Sequence, residues 1–201
     1  GGLPQSDALA VEWYRKAADQ GHAQAQHNLG FMYKQGRGGL PQSDALAVEW
    51  YRKAADQGHA QAQHNLGFMY KQGRGGLPQS DALAVEWYRK AADQGHAQAQ
   101  HNLGFMYKQG RGGLPQSDAL AVEWYRKAAD QGHAQAQHNL GFMYKQGRGG
   151  LPQSDALAVE WYRKATDQGY ASAQYVLALM YRQGKGGLPQ SDALAVEWYR
   201  K

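Results

Sequence analysis

The chain has 201 residues, no cysteine and a formal net charge of +5. Without cysteine there is neither a disulfide framework nor a thiolate metal site. The positive surplus is spread along the chain rather than clustered, which argues against nucleic acid as the partner, and no run reaches the 18 or so apolar residues that a membrane span requires. Leu, Val and Phe are sparse and Ile is absent, a composition that raises the question of disorder. The low net charge, the abundant Ala, and 13 Tyr and 6 Trp answer it, because Ala beside large aromatics suits thin, closely packed helices.

One 37-residue unit organises the sequence. GGLPQSDALAVEWYRKAADQGHAQAQHNLGFMYKQGR fills residues 1–37 and returns without substitution at Gly38, Gly75 and Gly112. A fifth copy, Gly149–Lys185, carries nine changes, and a partial sixth runs over 186–201. A fixed period of this size marks a solenoid, in which each unit buries its apolar face against its neighbours. We therefore expect residues 1–201 to form a single repeat array, not an enzyme: identical copies offer no one set of residues that converges on a reacting centre. Four unmarked copies fit either recent duplication or deliberate assembly around natural repeats. The Gly-Gly start and the close inside a helical pattern read as a piece of a longer protein, and the compartment is not legible.

In chain order, Leu3-Pro4-Gln5 leads to Ser6, a helix N-cap, with Asp7 in the first turn where the helix dipole favours a carboxylate. Leu3 can fold back as an apolar anchor. Ala10, Trp13, Tyr14, Ala17 and Ala18 follow at helical spacing, and both aromatics are assigned to the core, Trp13 foremost. This helix runs from about Asp7 to Gln20, and Gly21 supplies a left-handed terminus. The second runs from about His22 to Gln35 over a buried face of Ala25, Leu29, Met32 and Tyr33, and Gly36 ends it. Gly30 lies mid-helix, where it costs about 1 kcal/mol relative to Ala, so it is expected to admit the Trp13/Tyr14 face of a neighbouring helix. Repetition predicts about eleven helices and no strand.

Ala25-xxx-Leu29-Gly30-xx-Tyr33-xx-Gly36-x-Gly38, then Ala47-xx-Trp50-Tyr51-xx-Ala54-Ala55-xx-Gly58, closely resembles the Sel-like repeat family, longer-looped relatives of tetratricopeptide repeats. The resemblance covers the whole chain. It implies an all-α fold, a right-handed α-α superhelical solenoid of helix-turn-helix repeats. In the family frame the helix pairs start at His22, His59, His96, His133 and Tyr170. It further implies a non-catalytic adaptor that binds proteins or peptides, often bacterial, with no cofactor. Some cysteine-rich secreted relatives are linked to β-lactam binding, but through paired cysteines that this chain lacks.

Eight histidines stand at 22/27, 59/64, 96/101 and 133/138. The i, i+5 spacing sets each pair about 140° apart on a helix, so they are not metal ligands within one repeat, and they read as polar surface residues. A ladder of His27, His64, His101 and His138 could also sense pH. Gln24, His27, Phe31 and Lys34 share a stripe away from Leu29 and Tyr33. By resemblance, the first helix of each family unit lines the concave surface. The candidate partner-binding residues are therefore His64, Asn65, Phe68, Lys71, His101, Asn102, Phe105 and Lys108: Phe for burial, Lys for a carboxylate, His and Asn for peptide backbone. Glu12, Arg15 and Lys16 read as a solvated charged face. The rival reading is a structural or designed array that self-associates end to end without a specific ligand.

Overall fold

The computed structural model describes residues 6–200. Eleven helices and no strand occur among the described residues: α1 (Asp7–Asp19), α2 (Ala23–Gln35), α3 (Asp44–Asp56), α4 (Ala60–Gln72), α5 (Asp81–Asp93), α6 (Ala97–Gln109), α7 (Asp118–Asp130), α8 (Ala134–Gln146), α9 (Asp155–Thr166), α10 (Ala171–Gln183) and α11 (Asp192–Arg200). Two compact units divide the chain, residues 1–99 and 100–201, with the boundary inside α6. Each is an all-α solenoid of helix-turn-helix repeats. In the first unit α1 packs on α2, α2 on α3, α3 on α4 and α4 on α5; in the second the same succession runs from α7 to α11.

The capping chemistry follows the sequence. Ser43 Oγ accepts a hydrogen bond from the Leu46 amide at 3.2 Å, with Asp44 in the first turn. Gly73 closes α4 at φ 62°, and the Arg74 amide returns to the Met69 carbonyl at 3.0 Å. Gln57 caps α3, and the positive-φ residue, Gly58, comes just after it. The anchor proposed at Leu3 lies outside the described residues. Its equivalents Leu40 and Leu77 do pack on the hydrophobic cores of the first unit.

Those cores correct the expectation for the aromatic pair. Tyr51 and Tyr88 are fully buried, whereas Trp50 and Trp87 lie half-buried at the margin, and Trp13 is 61% exposed. The buried face of α3 is Ala47, Val48, Tyr51, Ala54 and Ala55. At about 100° per residue, Tyr51 sits at the centre of that set and Trp50 about 100° from it. The tryptophan instead carries a cation: Lys53 Nζ stands 4.0 Å from the Trp50 ring centroid.

The mid-helix glycine has the role expected of it. A Cβ on Gly30 would come 2.9 Å from Cδ1 and Cε1 of Tyr51, and one on Gly67 would meet Tyr88 at the same distance. The hole that glycine leaves is filled by the tyrosine of the next repeat, so close packing offsets the helix-propensity cost. The double-glycine loop answers a second approach. A Cβ on Gly75 would lie 2.5 Å from the Asp44 carbonyl oxygen and 2.6 Å from Val48 Cγ2, at a φ of +65°. The loop after α4 is therefore pressed onto the first turn of α3, a fit open to glycine alone.

Candidate partner-binding face

α2 and α4 in the first unit, and α8 in the second, carry the stripe read from the sequence, whereas in α10 Ser172, Tyr175, Leu179 and Arg182 take its places. Leu66 and Met69 anchor α4 in the core with no exposed surface. Phe68, two positions from Leu66 and one from Met69 and so on another face of the helix, is left half-buried against the same core, and Phe31 is 40% exposed. Neither ring is sealed between repeats. Lys34 Nζ lies 5.3 Å from the Phe68 ring centroid, and in the second unit Lys108 Nζ lies 4.8 Å from that of Phe142. The stripe is thus an alternation of half-exposed rings and the ammonium groups of the preceding repeat, spaced by the repeat itself. Lys71 and Lys108 are half-buried on the same stripe.

The histidines, read from the sequence as polar surface residues, are committed to the structure, and so are the asparagines. His22, His59 and His133 are helix N-caps: Nδ1 of each accepts from the backbone amide three residues on, at 3.2 Å. The other histidine of each repeat stacks on a cap of the next, His27 on His59 at 5.0 Å and His64 on His96 at 5.1 Å between ring centroids, and in the second unit His101 on His133 at 5.1 Å. Asn65 lies within this network. Its Nδ2 donates to His27 Nε2 at 3.1 Å, and its Oδ1 accepts from His64 Nδ1 at 3.3 Å and from Gln61 Nε2 at 3.4 Å. In the second unit Asn139 Nδ2 meets His101 Nε2 at 3.0 Å, and His101 Nδ1 meets Asn102 Oδ1 at 3.3 Å. The amide expected to clamp a peptide backbone is engaged in joining repeats.

Burial lowers the pKa of His27 from its ordinary value; the Asn28 bond opposes it, and the weaker fields of His59 and His96 add to the lowering. Desolvation also lowers His59 and His96. The Tyr125 and Tyr162 hydroxyls are pushed well above the phenol range, first by burial and then by Asp118 and Asp155.

Two contacts were missed in the sequence reading. Gln63 is a buried polar residue: its Nε2 donates to the Ala55 carbonyl at 3.1 Å and its Oε1 accepts from Gln94 Nε2 at 2.7 Å, tying the end of α3 to the end of α5. Arg52, read as part of a solvated charged face, donates to the Tyr70 hydroxyl at 2.9 Å. The return of Gln26 every 37 residues at the edge of the apolar face was the available clue to the first. For the second, only the three-dimensional pairing of α3 with α4 brings the arginine to the tyrosine.

The comparisons with known proteins agree with this geometry. The Sel1 repeat model matches residues 1–22, 23–59, 60–96, 97–133, 134–170 and 171–201. The chain belongs to the Sel1 repeat family. The family's unit therefore starts one residue after each of the starts expected from the resemblance, His22, His59, His96, His133 and Tyr170, and in its frame α2, α4, α6, α8 and α10 are the first helices. A Sel1 repeat protein from Oxalobacter formigenes is 34% identical, superposes with a TM-score of 0.84, and is matched over 97% of this chain and 81% of its own. A protective antigen present in uropathogenic Escherichia coli strains, with an SLR fold, is 35% identical at a TM-score of 0.73 over 98% of this chain. The chain spans about half, 49%, of that antigen. An immunity protein from Pseudomonas aeruginosa, 23% identical, covers 98% of this chain and 75% of its own at a TM-score of 0.60, which shows the shared fold alone. No curated protein matches significantly. Sel1 solenoids are typically protein-interaction scaffolds. Among the described residues no helix is long and apolar enough to cross a membrane, and no group of three or more His, Asp or Glu is arranged to hold a metal ion.

Proposed function

We propose that this Sel1 repeat protein is a non-catalytic scaffold that binds an extended peptide or a helix of a partner protein along the first-helix stripe of each unit. His64, Asn65, Phe68 and Lys71 form the contact region in the first unit; His101, Asn102, Phe105 and Lys108 form it in the second. The observation that carries the reading is the Phe/Lys alternation: Phe68 and Phe142, each half-exposed beside the ammonium group of the preceding repeat, on helices whose opposite face, Ala62, Leu66 and Met69 in α4, is buried in the core. Such a surface suits a partner with apolar anchors flanked by carboxylates. His64 and Asn65 hold the spacing between neighbouring rings through their hydrogen bonds, and the direct contacts fall to Phe and Lys. Each contact is modest, so affinity is expected to grow with the number of repeats engaged.

The test is selection of peptides from a random library, followed by two paired variants, Phe68→Ala with Phe105→Ala and Lys71→Glu with Lys108→Glu. Both should keep the helical circular dichroism and weaken selected peptides by at least about tenfold, near 1.4 kcal/mol. Peptides that bind both variants as tightly as the parent chain would overturn the assignment.

Self-association remains the second reading, favoured by one observation: α1 exposes Trp13 at 61% and Leu9 at 45%, whereas their equivalents on α3, Trp50 and Leu46, are half-buried. A sedimentation coefficient independent of concentration removes it.

A further inference from the structure

The histidines that join successive repeats form hydrogen-bond chains with only one possible direction, and the direction requires both imidazoles to be neutral. It starts at a backbone amide, which can only donate. The Ala62 N–H donates to His59 Nδ1 at 3.2 Å, so the proton of His59 is on Nε2. That Nε2–H donates to Gln24 Oε1 at 2.9 Å, and Gln24 Nε2 donates in turn to Asn28 Oδ1 at 2.9 Å. Asn28 Oδ1 also accepts from His27 Nδ1, 3.2 Å away, which leaves His27 Nε2 as an acceptor, and Asn65 Nδ2 donates to it at 3.1 Å. Every ring nitrogen of the His27/His59 pair is occupied, so no lone pair is left for a metal ion. The next repeat repeats the pattern: the Ala99 amide on His96 Nδ1 at 3.2 Å, His96 Nε2 on Gln61 Oε1 at 2.8 Å, and His64 Nδ1 on Asn65 Oδ1 at 3.3 Å. In the second unit the Ala136 amide lies on His133 Nδ1 at 3.2 Å and Asn139 Nδ2 on His101 Nε2 at 3.0 Å.

We propose that these stacked histidine pairs, His27/His59 and His64/His96 in the first unit and His101/His133 in the second, are acid-sensitive joints that loosen the contact between neighbouring repeats on protonation. A proton on His59 Nδ1 turns the cap acceptor into a donor facing the Ala62 amide and removes the N-cap of α4. A proton on His27 Nε2 sets two donors against each other. Asn65 cannot relieve this by turning its amide, because its oxygen already accepts from His64 and Gln61. Two imidazolium rings with centroids 5.0 Å apart then repel. The titratable groups facing His27 are Tyr51 from α3 and His59 at the head of α4, with His96 acting through its field. His64 faces Tyr88 from α5 and His96; His101 faces Tyr125 from α7 and His133. None of the groups facing His27 is a carboxylate that would hold the charge.

The sign follows from linkage. Burial lowers the folded-state pKa of His27, His59 and His96 below 6.5, so the unfolded chain binds more protons near that pH. The joint is therefore at full strength above about pH 6.5 and is lost as pH falls through the lowered values. The fifth copy supplies an internal control. Tyr170 and Val176 stand where His and Asn stand in the other copies, Tyr170 makes no side-chain cap bond, and the ring of His138 is tilted at 60° to that of Tyr170 rather than stacked. His138 keeps Lys108 as its charged neighbour, and its junction has no cap to lose.

Amide hydrogen exchange on the full chain between pH 7.5 and 5.0 tests the joints, read as protection factors so that intrinsic exchange cancels. Protection at Ala62, Ala99 and Ala136 should fall by at least about tenfold. The Ala173 amide, bonded to the Tyr170 carbonyl at 3.0 Å, should change by less than about twofold. The triple variant His59→Asn, His96→Asn, His133→Asn keeps side-chain caps and should flatten the response. Uniform loss at all four amides, or an unchanged response in the variant, overturns the proposal. Nitrogen chemical shifts of the parent chain at pH 7.5 give a reading that needs no variant: the proton must be on Nε2 of His59 and Nδ1 of His27. The opposite tautomers refute it.

Discussion

α8 and α10 belong to the same unit and have the same backbone, yet different faces. Both are thirteen-residue helices closed by a left-handed glycine, Gly147 at φ 61° and Gly184 at φ 63°. Ala136, Leu140 and Met143 in one, and Ala173, Leu177 and Met180 in the other, are buried to within 1% of completely. The remaining positions diverge. His133 caps α8 whereas Tyr170 leaves α10 without a side-chain cap, and Tyr175, 57% exposed, takes the place of the half-buried His138. Val176 and Leu179 replace Asn139 and Phe142. The repeat is thus held by its small aliphatic spine, its tyrosine and its loop glycines, and the first-helix face is free to change without altering the helix.

That separation is most exposed to failure at its strongest element. Tyr125→Ala should cost about 3–5 kcal/mol in chemical denaturation, as for other buried aromatics. The neighbouring Trp124→Ala should cost about 1–2 kcal/mol, in proportion to its partial burial; equal losses would return the tryptophan to the core. The Tyr125 hydroxyl is buried with no protein hydrogen-bond partner, so Tyr125→Phe should be neutral or mildly stabilising. Removing the Gln137 bridge, with its bonds to the Ala129 carbonyl at 3.2 Å and to Gln168 at 2.8 Å, comes next: Gln137→Leu leaves a buried carbonyl unpaired and should cost about 1–3 kcal/mol.

Gly104→Ala sharpens the comparison further. Helix propensity alone favours Ala by about 1 kcal/mol, but the new Cβ would come 2.9 Å from Cδ1 and Cε1 of Tyr125. Overpacking of this kind costs about 1–3 kcal/mol, so the net change measured by thermal unfolding should be a loss of about 1 kcal/mol. The smallest effect is expected from placing the fifth-copy residue on the fourth copy: His138→Tyr should shift stability at pH 7.5 by less than about 1 kcal/mol, since the ring Nδ1 of His138 is buried without a hydrogen-bond partner. A large loss there would show that face and spine are one structure.

The fold was legible because its signals are local and repeated. Ser43, the glycine termini, and the Ala62/Leu66/Met69/Tyr70 face are set by capping and helical period, and every copy restates them. The aromatic pair was misjudged because Trp13 and Tyr14 are adjacent, and the face was drawn without Val11. Including that valine, buried at 5%, moves the centre of the face from the tryptophan to the tyrosine. The histidine joints could not be read from spacing within one repeat, since the bonds that cross from repeat to repeat link residues 35 and 38 positions apart. The replacement of His22 by Tyr170 and of Asn28 by Val176 in the same copy was the one sequence trace of their coupling.

Mapping backbone chemical-shift changes on binding of a library-selected peptide tests the central claim most directly, that the variable first-helix face, not the second-helix back, meets the partner. The account predicts perturbations at Phe68, Lys71 and their second-unit equivalents Phe105 and Lys108, with Glu49, Lys53 and Trp50 unmoved. Perturbations concentrated on the Trp50/Lys53 side, with Phe68 and Phe105 silent, would contradict it.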